Sequence, residues 1–80
     1  MQILCNLLSE NDLASIQTAL DAALEITMER TLDKLHIRVT TSRAPPVWHP
    51  FTMLARLEVW HGHIYTTQYF TSAEELRRNL

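Results

Sequence analysis

The sequence predicts an α+β fold, in which a long N-terminal helix packs on a three-stranded antiparallel sheet and a short C-terminal helix ends the chain. Three patterns predict it: apolar residues recur at helical spacing near the N-terminus, three later segments alternate apolar and polar residues, and a second capped helix follows them. Eighty residues suit one hydrophobic core, so residues 1–80 are expected to form a single domain.

The first helix is expected to begin after Ser9. The Ser9 hydroxyl can cap the first turn, and Asp12 lies at the third helical position, from which a side chain reaches back to the cap. Four apolar residues then recur at helical spacing: Leu13, Ile16, Leu20 and Leu24. Their stripe is the face that should pack on the sheet.

No Gly or Pro marks the end of this helix. We therefore expect it to run to about Met28, with Glu29–Lys34 as the connection to the sheet. Two alternatives stay open. Ile26, Met28 and Arg30 also alternate as a strand would, and residues 1–8 fit either a short strand or an ordered lead-in.

The middle of the chain predicts the sheet. Three segments rich in β-branched or aromatic residues alternate apolar and polar positions: Leu35–Thr41, Thr52–Trp60 and His63–Phe70. We expect His61-Gly62 to be a two-residue turn, because the only glycine of the chain lies where a positive φ is needed. This turn would pair Trp60 with His63.

A loop and a helix complete the predicted fold. Prolines at positions 45, 46 and 50 make Ser42–Pro50 a loop, in which Trp48 either closes one end of the core or forms a contact surface. Ser72 and Glu75 predict a capping box for the last helix. The apolar stripe of that helix comprises Ala73, Leu76 and Leu80.

Alternation along the strands divides the predicted sheet into two faces. The core face, which the long helix should cover, is apolar: Leu35, Ile37, Val39, Met53, Leu57, Val59, Ile64 and Phe70. The second face carries aromatic, charged and polar residues: His36, Arg38, Arg56, Glu58, Trp60, His63, Tyr65, Thr67 and Tyr69.

The second face is the candidate binding surface. Trp, Tyr and Arg are the residue types enriched at binding hot spots. We therefore assign partner contacts to six of its members: Arg38, Arg56, Trp60, His63, Tyr65 and Tyr69. Two other interpretations fit the same pattern. The aromatic residues could form a cross-strand ladder that only stabilises the sheet, or the C-terminal helix could cover them.

Charge is distributed unevenly along the chain. Residues 1–33 carry a net charge of −5 and residues 34–80 one of +3, for a total of −2. On the predicted first helix, Asp21 and Glu25 continue a polar face that begins at Glu10 and Gln17. This face is either solvated, as on most surface helices, or a negative strip that binds a basic groove of a partner. Asp21 and Glu25 are candidate contacts in the second case.

No motif predicts catalysis or a bound cofactor. His61-Gly62-His63 is an H-x-H pair, but four ligands at a recognised zinc spacing are missing. Cys5, the only cysteine, has no base near it in the sequence, and a single glycine excludes the glycine-rich phosphate-binding loops. We therefore expect neither an enzyme nor a metal or cofactor site.

The compartment is predicted from the N-terminus, the hydropathy and the cysteine content. The first eight residues are not expected to form a signal peptide, because they lack a basic segment and are too short, and no apolar run approaches the ~20 residues that cross a bilayer. One cysteine permits no internal disulfide, which favours a reducing compartment. We expect a soluble, cytoplasmic protein that does not bind membranes.

One pattern near the C-terminus invites a family comparison. It consists of Val59-x-x-Gly62 and then a strand that ends in Phe70-x-Ser72-x-Glu74-x-Leu76. This hairpin followed by a capped helix resembles the ending of some small phage-encoded anti-CRISPR proteins, over less than a quarter of the chain. The resemblance implies a stand-alone inhibitor that binds a nucleoprotein effector of its host, and it assigns no site residues.

The leading functional hypothesis is a small non-enzymatic protein-binding module. A more specific version of this hypothesis is an inhibitor encoded by a phage or mobile element. The first alternative is a single-stranded nucleic-acid-binding domain that stacks bases on the aromatic face. The net charge and the single lysine, Lys34, disfavour it. A small metal- or thiol-dependent enzyme comes last. The expected partner is a protein or a nucleoprotein complex, and the sequence is compatible with a monomer and with a homodimer.

Overall fold

A computed structural model describes residues 7–43 and 52–79 of the chain. Its elements are, in order, α1 (Glu10–Asp21), β1 (Thr27–Leu32), β2 (Leu35–Arg43), β3 (Met53–His61), β4 (Ile64–Phe70) and α2 (Ala73–Arg78). The strands form one antiparallel sheet in the order β1-β2-β3-β4. The α+β class is therefore confirmed, whereas the prediction of three strands is wrong, because the sheet has four.

The start of α1 follows from its cap. Ser9 Oγ accepts a hydrogen bond from the Asp12 amide at 3.1 Å, and Asp12 Oδ2 accepts one from the Ser9 amide at 3.0 Å. Each of these bonds satisfies an amide that the first helical turn leaves without a partner. The predicted capping box is confirmed.

The end of α1 was predicted about seven residues too late. Ala23 adopts a left-handed conformation with φ of 56°, and the Leu24 amide then donates to the Ala19 carbonyl at 2.8 Å. The Ala23 amide donates to the Leu20 carbonyl, so the helix ends in a Schellman motif. Glycine usually occupies the left-handed position of this motif, and an alanine there gives no sequence signal.

The segment after α1 forms the strand β1, where the sequence predicted the end of the helix and a connection. Its residues alternate, with Met28 and Arg30 half-buried and Thr27, Glu29 and Thr31 exposed. β1 pairs with β2 through a two-residue turn, in which Asp33 has φ of 54°. Of the two patterns open for this segment, the alternation of Ile26, Met28 and Arg30 was the correct one.

Thr41 connects the end of the helix to the sheet. Its side chain is fully buried, accepts a hydrogen bond from the Ile26 amide at 2.9 Å and donates one to the Leu24 carbonyl at 2.7 Å. The Thr41 amide also donates to the Ile26 carbonyl. These bonds satisfy the backbone between α1 and β1 and guide it to the free side of β2.

The hairpin of β3 and β4 has a different register from the predicted one. Gly62, with φ of 63°, and His63 are the two turn residues, so His61 pairs with Ile64 and Trp60 with Tyr65. A positive φ at the first turn position alone is typical of a type II′ turn, which favours glycine there. The predicted pairing of Trp60 with His63 is wrong. The register shifts by an even number of residues, so the strand side chains keep their predicted faces, while His63 moves into the turn.

The core lies between the helices and one face of the sheet, here called the inner face. It contains Leu13, Ile16 and Leu20 of α1, Leu76 of α2, and a set of strand residues: Leu35, Ile37, Val39, Met53, Ala55, Leu57 and Phe70. Leu7 and Leu8, which precede α1, are also part of it.

Ile64 is the exception among the predicted core residues. Its side chain is 64% exposed, because α1 contacts β2 and β3 and α2 contacts β4, where Phe70 at the far end is buried. α1, with 12 residues and about 18 Å of helix, contacts the middle strands β2 and β3 and leaves the turn end of β4 uncovered. Val59 is half-buried against the core.

α2 begins after Ser72, whose hydroxyl accepts a hydrogen bond from the Glu75 amide. The Glu75 carboxylate bonds to Thr71 and not to the Ser72 amide, so only half of the predicted capping box forms. Residues 1–6, residues 44–50 of the predicted loop with Trp48, and Leu80 lie outside the described residues. Neither of the two described helices is long and apolar enough to cross a membrane.

Candidate functional site

The face of the sheet opposite the core, here called the outer face, brings most of the predicted binding residues together. The antiparallel register aligns its side chains in three rows across the strands. The first row is Thr31, His36, Trp60 and Tyr65; the second is Glu29, Arg38, Glu58 and Thr67; the third is Thr27, Thr40, Arg56 and Tyr69.

This face is open over the three rows. Both described helices place their buried residues in the core on the inner face. Tyr65 and Tyr69 are 51% and 54% exposed, and Trp60, Arg38 and Arg56 are partly exposed. At the start of β3, Leu54 on the same side is buried, so the open surface ends near the third row. α2 does not cover the aromatic residues, which removes one of the alternatives for this face.

The first row is a line of ring contacts centred on Trp60. The Trp60 ring lies 5.3 Å from the His36 ring and 5.1 Å from the Tyr65 ring, with tilts of 47° and 38° between the ring planes. The Arg38 guanidinium carbon lies over the Trp60 ring, 5.1 Å from its centroid. Aromatic pairs and cation–π contacts of this kind stabilise cross-strand neighbours and fix the orientation of the rings.

Glu58 is the buried centre of the second row. Its Oε2 accepts a hydrogen bond from the Tyr65 hydroxyl at 2.8 Å. Its Oε1 lies 3.6 Å from Arg38 Nη1 and 3.5 Å from Arg56 Nε. The Thr67 hydroxyl donates in turn to the Tyr65 oxygen at 2.6 Å. One carboxylate is therefore hydrogen-bonded to a tyrosine and lies at ion-pair distance from two arginines, while Glu58 Oε1 and Arg56 Nε form no hydrogen bond in the part of the chain that the structure describes.

Glu29 extends the same network onto β1. His36 Nε2 lies 2.9 Å from Glu29 Oε1, and Arg38 Nε lies 3.5 Å from the same oxygen. The hydrogen bond with His36 and then the charge of Arg38 hold the pKa of the Glu29 carboxyl below its ordinary value. Glu29 is therefore anionic at neutral pH. Because a carboxylate only accepts, His36 Nε2 carries a hydrogen, and in the neutral ring Nδ1 accepts from Thr31 Oγ1 at 2.7 Å.

The charges of the outer face balance. Arg38 and Arg56 contribute two positive charges, and Glu29 and Glu58, within 3.6 Å of them, contribute two negative charges. The face is thus aromatic and hydrogen-bonding but carries no net charge while His36 is neutral. A surface of this type favours neither a polyanion nor a polycation.

Five of the eight predicted contact residues lie on this face: Arg38, Arg56, Trp60, Tyr65 and Tyr69. The sixth, His63, was predicted to face Trp60, but it is exposed in the turn between β3 and β4. The prediction missed Glu29 and Thr31, because their segment was assigned to a connection. The alternation from Ile26 to Arg30 was the signal that could have found them.

Glu25 does not lie on the predicted acidic helix face, whereas Asp21 does and accepts a hydrogen bond from Gln17 Nε2 at 2.8 Å. Asp21 is the last residue of α1, and Glu25 lies beyond the helix in the segment before β1. α2 contacts the other two members: the Ala73 amide donates to Gln17 Oε1 at 2.9 Å, and Arg77 Nη2 donates to Glu10 at 2.6 Å. The Schellman end of α1 is the physical reason, since it turns the chain away three residues before Glu25 would join the strip.

Within the described ranges, no three His, Cys, Asp or Glu side chains come together as metal ligands. His61 and His63 are both exposed on either side of Gly62. Cys5 and His49 lie outside the described residues. The charged side chains of the outer face instead lie within 3.6 Å of one another.

Comparison with known proteins adds no relative. The chain matches no family model, no curated protein and no solved structure. Function is therefore inferred from the geometry of the outer face.

Proposed function

We propose that the protein is a small non-enzymatic binding module whose outer face contacts another protein. The observation that carries this proposal is the placement of Trp60, Tyr65 and Tyr69 with two arginines on the open side of the sheet. A domain this small gains most stability by burying its large aromatic residues. Leaving three of them on an open face is costly for folding but suits a hot-spot surface.

The contacts within the face also lower the cost of binding. Trp60 is held between His36 and Tyr65, and Tyr65 is hydrogen-bonded to Glu58. Side chains that are already ordered lose little conformational entropy when a partner covers them. The cross-strand ladder, which alone would be a stabilising device, thus also preorganises the surface.

A protein partner fits this face better than a nucleic acid does. Phosphates bind where unpaired arginines and lysines supply positive charge, whereas Glu29 and Glu58 neutralise Arg38 and Arg56 here. Bases stack on free ring faces, whereas Arg38 lies over the Trp60 ring. A protein can instead use the aromatic edges and the half-exposed guanidinium groups.

The finer form of this proposal concerns the partner. The resemblance of the C-terminal hairpin and helix to anti-CRISPR proteins suggests a nucleoprotein effector of a host, with this chain as its inhibitor. The contact would then be made with a protein surface of that effector. The guide or target nucleic acid of the effector would gain little electrostatic attraction from a face without net charge.

Binding of a protein partner is tested by comparing variants in affinity capture from cells that encode the chain, followed by titration of the captured protein. Trp60→Ala and Tyr69→Ala should each weaken the complex by about 2 kcal/mol or more, as hot-spot truncations do. Thr18→Ala is the control, since Thr18 is exposed on α1 and is not part of the outer face. Equal affinity for all four proteins would contradict the proposal.

The nucleic-acid alternative is tested by fluorescence. Trp48→Phe leaves Trp60 as the only tryptophan, and its emission is followed while a short oligodeoxythymidine is added at physiological salt. We expect no quenching. Saturable quenching that falls steeply as salt is raised would indicate counterion release. The partner would then be a single-stranded nucleic acid and not a protein.

A further inference from the structure

The two edges of the sheet differ in how they discourage association. β1 and β4 are the outermost strands, and an edge strand exposes backbone groups that can pair with another chain. β1 carries Glu29 and Arg30 near its centre. β4 carries no charged residue, no proline and no glycine. Charge and proline are the usual protection of an edge, and β4 has neither.

The side chains of β4 are also accessible on both sides of the strand. Tyr65 and Tyr69 are exposed on the outer face, and Ile64, Thr66 and Gln68 are exposed on the inner side. Only Phe70 is buried. Among the described residues, β3 is the only strand that pairs with β4.

The hairpin geometry shows which backbone groups of β4 are directed outward. A two-residue turn makes His61 and Ile64 a hydrogen-bonded pair, and bonded pairs then alternate along the strands. Tyr65, Thr67 and Tyr69 therefore direct their amide and carbonyl groups away from β3. These three residues form the free hydrogen-bonding edge.

The sequence of this edge is close to a palindrome. Tyr65-Thr66-Thr67-Gln68-Tyr69 has a tyrosine at each end and uncharged polar residues between them. A two-fold axis at Thr67 and perpendicular to the sheet would place Tyr65 opposite Tyr69 of a second copy and Thr66 opposite Gln68. Cross-strand pairs of aromatic or hydroxyl side chains are favourable. The same operation at the centre of β1 would oppose two copies of Glu29 or two of Arg30, which is unfavourable.

We propose that β4 pairs antiparallel with β4 of a second copy around a two-fold axis at Thr67. The two sheets then form one eight-stranded sheet. The β4 edge of each copy pairs with the same edge of the other copy, as in any isologous dimer, and is no longer free. The axis keeps both outer faces on the same side, so four tyrosines meet at the junction. This pairing does not depend on the identity of the partner that the outer face binds.

Sedimentation velocity of the full chain from low micromolar to submillimolar concentration tests the pairing. We expect a reversible dimer of the wild type and, for Thr66→Lys/Gln68→Lys, a dissociation constant at least ~10-fold higher, because lysines then oppose lysines of the second copy. Ser15→Lys/Thr18→Lys, at exposed positions of α1, is matched in charge and should dimerise as the wild type does. Circular dichroism checks that each variant is folded.

Amide hydrogen exchange of the wild type gives a second readout that needs no variant. Exchange at Tyr65, Thr67 and Tyr69 should slow as protein concentration rises, while exchange at the edge of β1 should not change. A wild type that stays monomeric over the whole range would overturn the proposal. So would a dimer that the paired lysines do not weaken, or exchange at these three amides that is independent of concentration.

Discussion

The two faces of the sheet use the same four strands in different ways. On the inner face, leucine, isoleucine and valine side chains from the strands meet the apolar stripes of α1 and α2. On the outer face, aromatic, charged and hydroxyl side chains contact mainly their cross-strand neighbours. The inner face thus gains its stability from burial, and the outer face gains order from specific pairs while remaining accessible.

The charged residues of the two sides show the same contrast. On the inner side, Arg30 donates a 2.8 Å hydrogen bond to Asp12 and so connects β1 with the start of α1. On the outer side, Glu58 connects only residues of the sheet itself. A polar contact on the inner side therefore positions a helix, whereas one on the outer side shapes a surface.

The largest expected effect comes from the centre of the inner face. Leu57 is 2% exposed, so Leu57→Ala should lower the free energy of unfolding by about 2–5 kcal/mol, through lost burial and the cavity left behind. Ile64→Ala is the matched control on the same face, and since Ile64 is largely exposed it should cost less than about 0.5 kcal/mol. Urea titration of both variants measures the difference. Similar losses for the two variants would mean that the core extends to the turn.

A smaller effect is expected from the buried carboxylate of the outer face. Glu58→Ala leaves Arg38 and Arg56 without their shared counter-charge and the Tyr65 hydroxyl without its acceptor. The expected loss is about 1–3 kcal/mol. Glu25→Ala, an exposed acid outside the helices and strands, is the control and should change the unfolding free energy by less than about 0.5 kcal/mol.

A double-mutant cycle then separates the hydrogen bond from the rest of the network. Tyr65→Phe removes only the hydroxyl, and its effect should shrink in the Glu58→Ala background, because the acceptor is already lost there. Urea titration of the four proteins gives the coupling free energy. Strict additivity would show that Tyr65 and Glu58 do not act together and that the outer face is less ordered than its distances indicate.

The smallest expected effect is a pH-dependent one at the start of α1. The hydrogen bond from the Ser9 amide, and also the contacts with Arg30, hold the pKa of the Asp12 carboxyl below its ordinary value. A lowered folded-state pKa stabilises the fold at every pH above the unfolded-state value of about 4, and this contribution is lost as pH falls through the folded-state pKa.

Asp12→Asn should therefore lower the unfolding free energy by ~1 kcal/mol or less at neutral pH. The difference from the wild type should shrink as pH falls below about 4 and through the lowered folded-state pKa, where Asp12 becomes protonated. Urea titrations of both proteins at neutral pH and at a series of acid pH values measure this. A difference that stays constant over this range would mean that the charge of Asp12 contributes nothing to the contact between α1 and β1.

The prediction succeeded where the signal is local. The capping box at Ser9 needs only four consecutive residues, and the strand alternation from Leu35 onward needs only the two-residue period. The grouping of Trp60, Tyr65 and Arg38 on one face was predicted for the same reason. A register shift of an even number of residues changes which residues pair across the strands but leaves the strand side chains on the same face. The site lost His63 because Gly62 takes the first and not the second turn position.

The sequence by itself determined the α+β class, the start of each helix and the two faces of the sheet, since caps and periodicity act between neighbours in the chain. Only the tertiary structure decided that α1 ends at Asp21 and that a fourth strand follows. Residues 24–32 fit both a helical stripe and a strand, and Ala23 is an unmarked stop. The choice depends on partners that are distant in sequence: Thr41, which satisfies the backbone at Leu24 and Ile26, and β2, whose free edge pairs with β1. Local helix and strand propensities are too weak to determine the secondary structure of a segment that long-range hydrogen bonds stabilise.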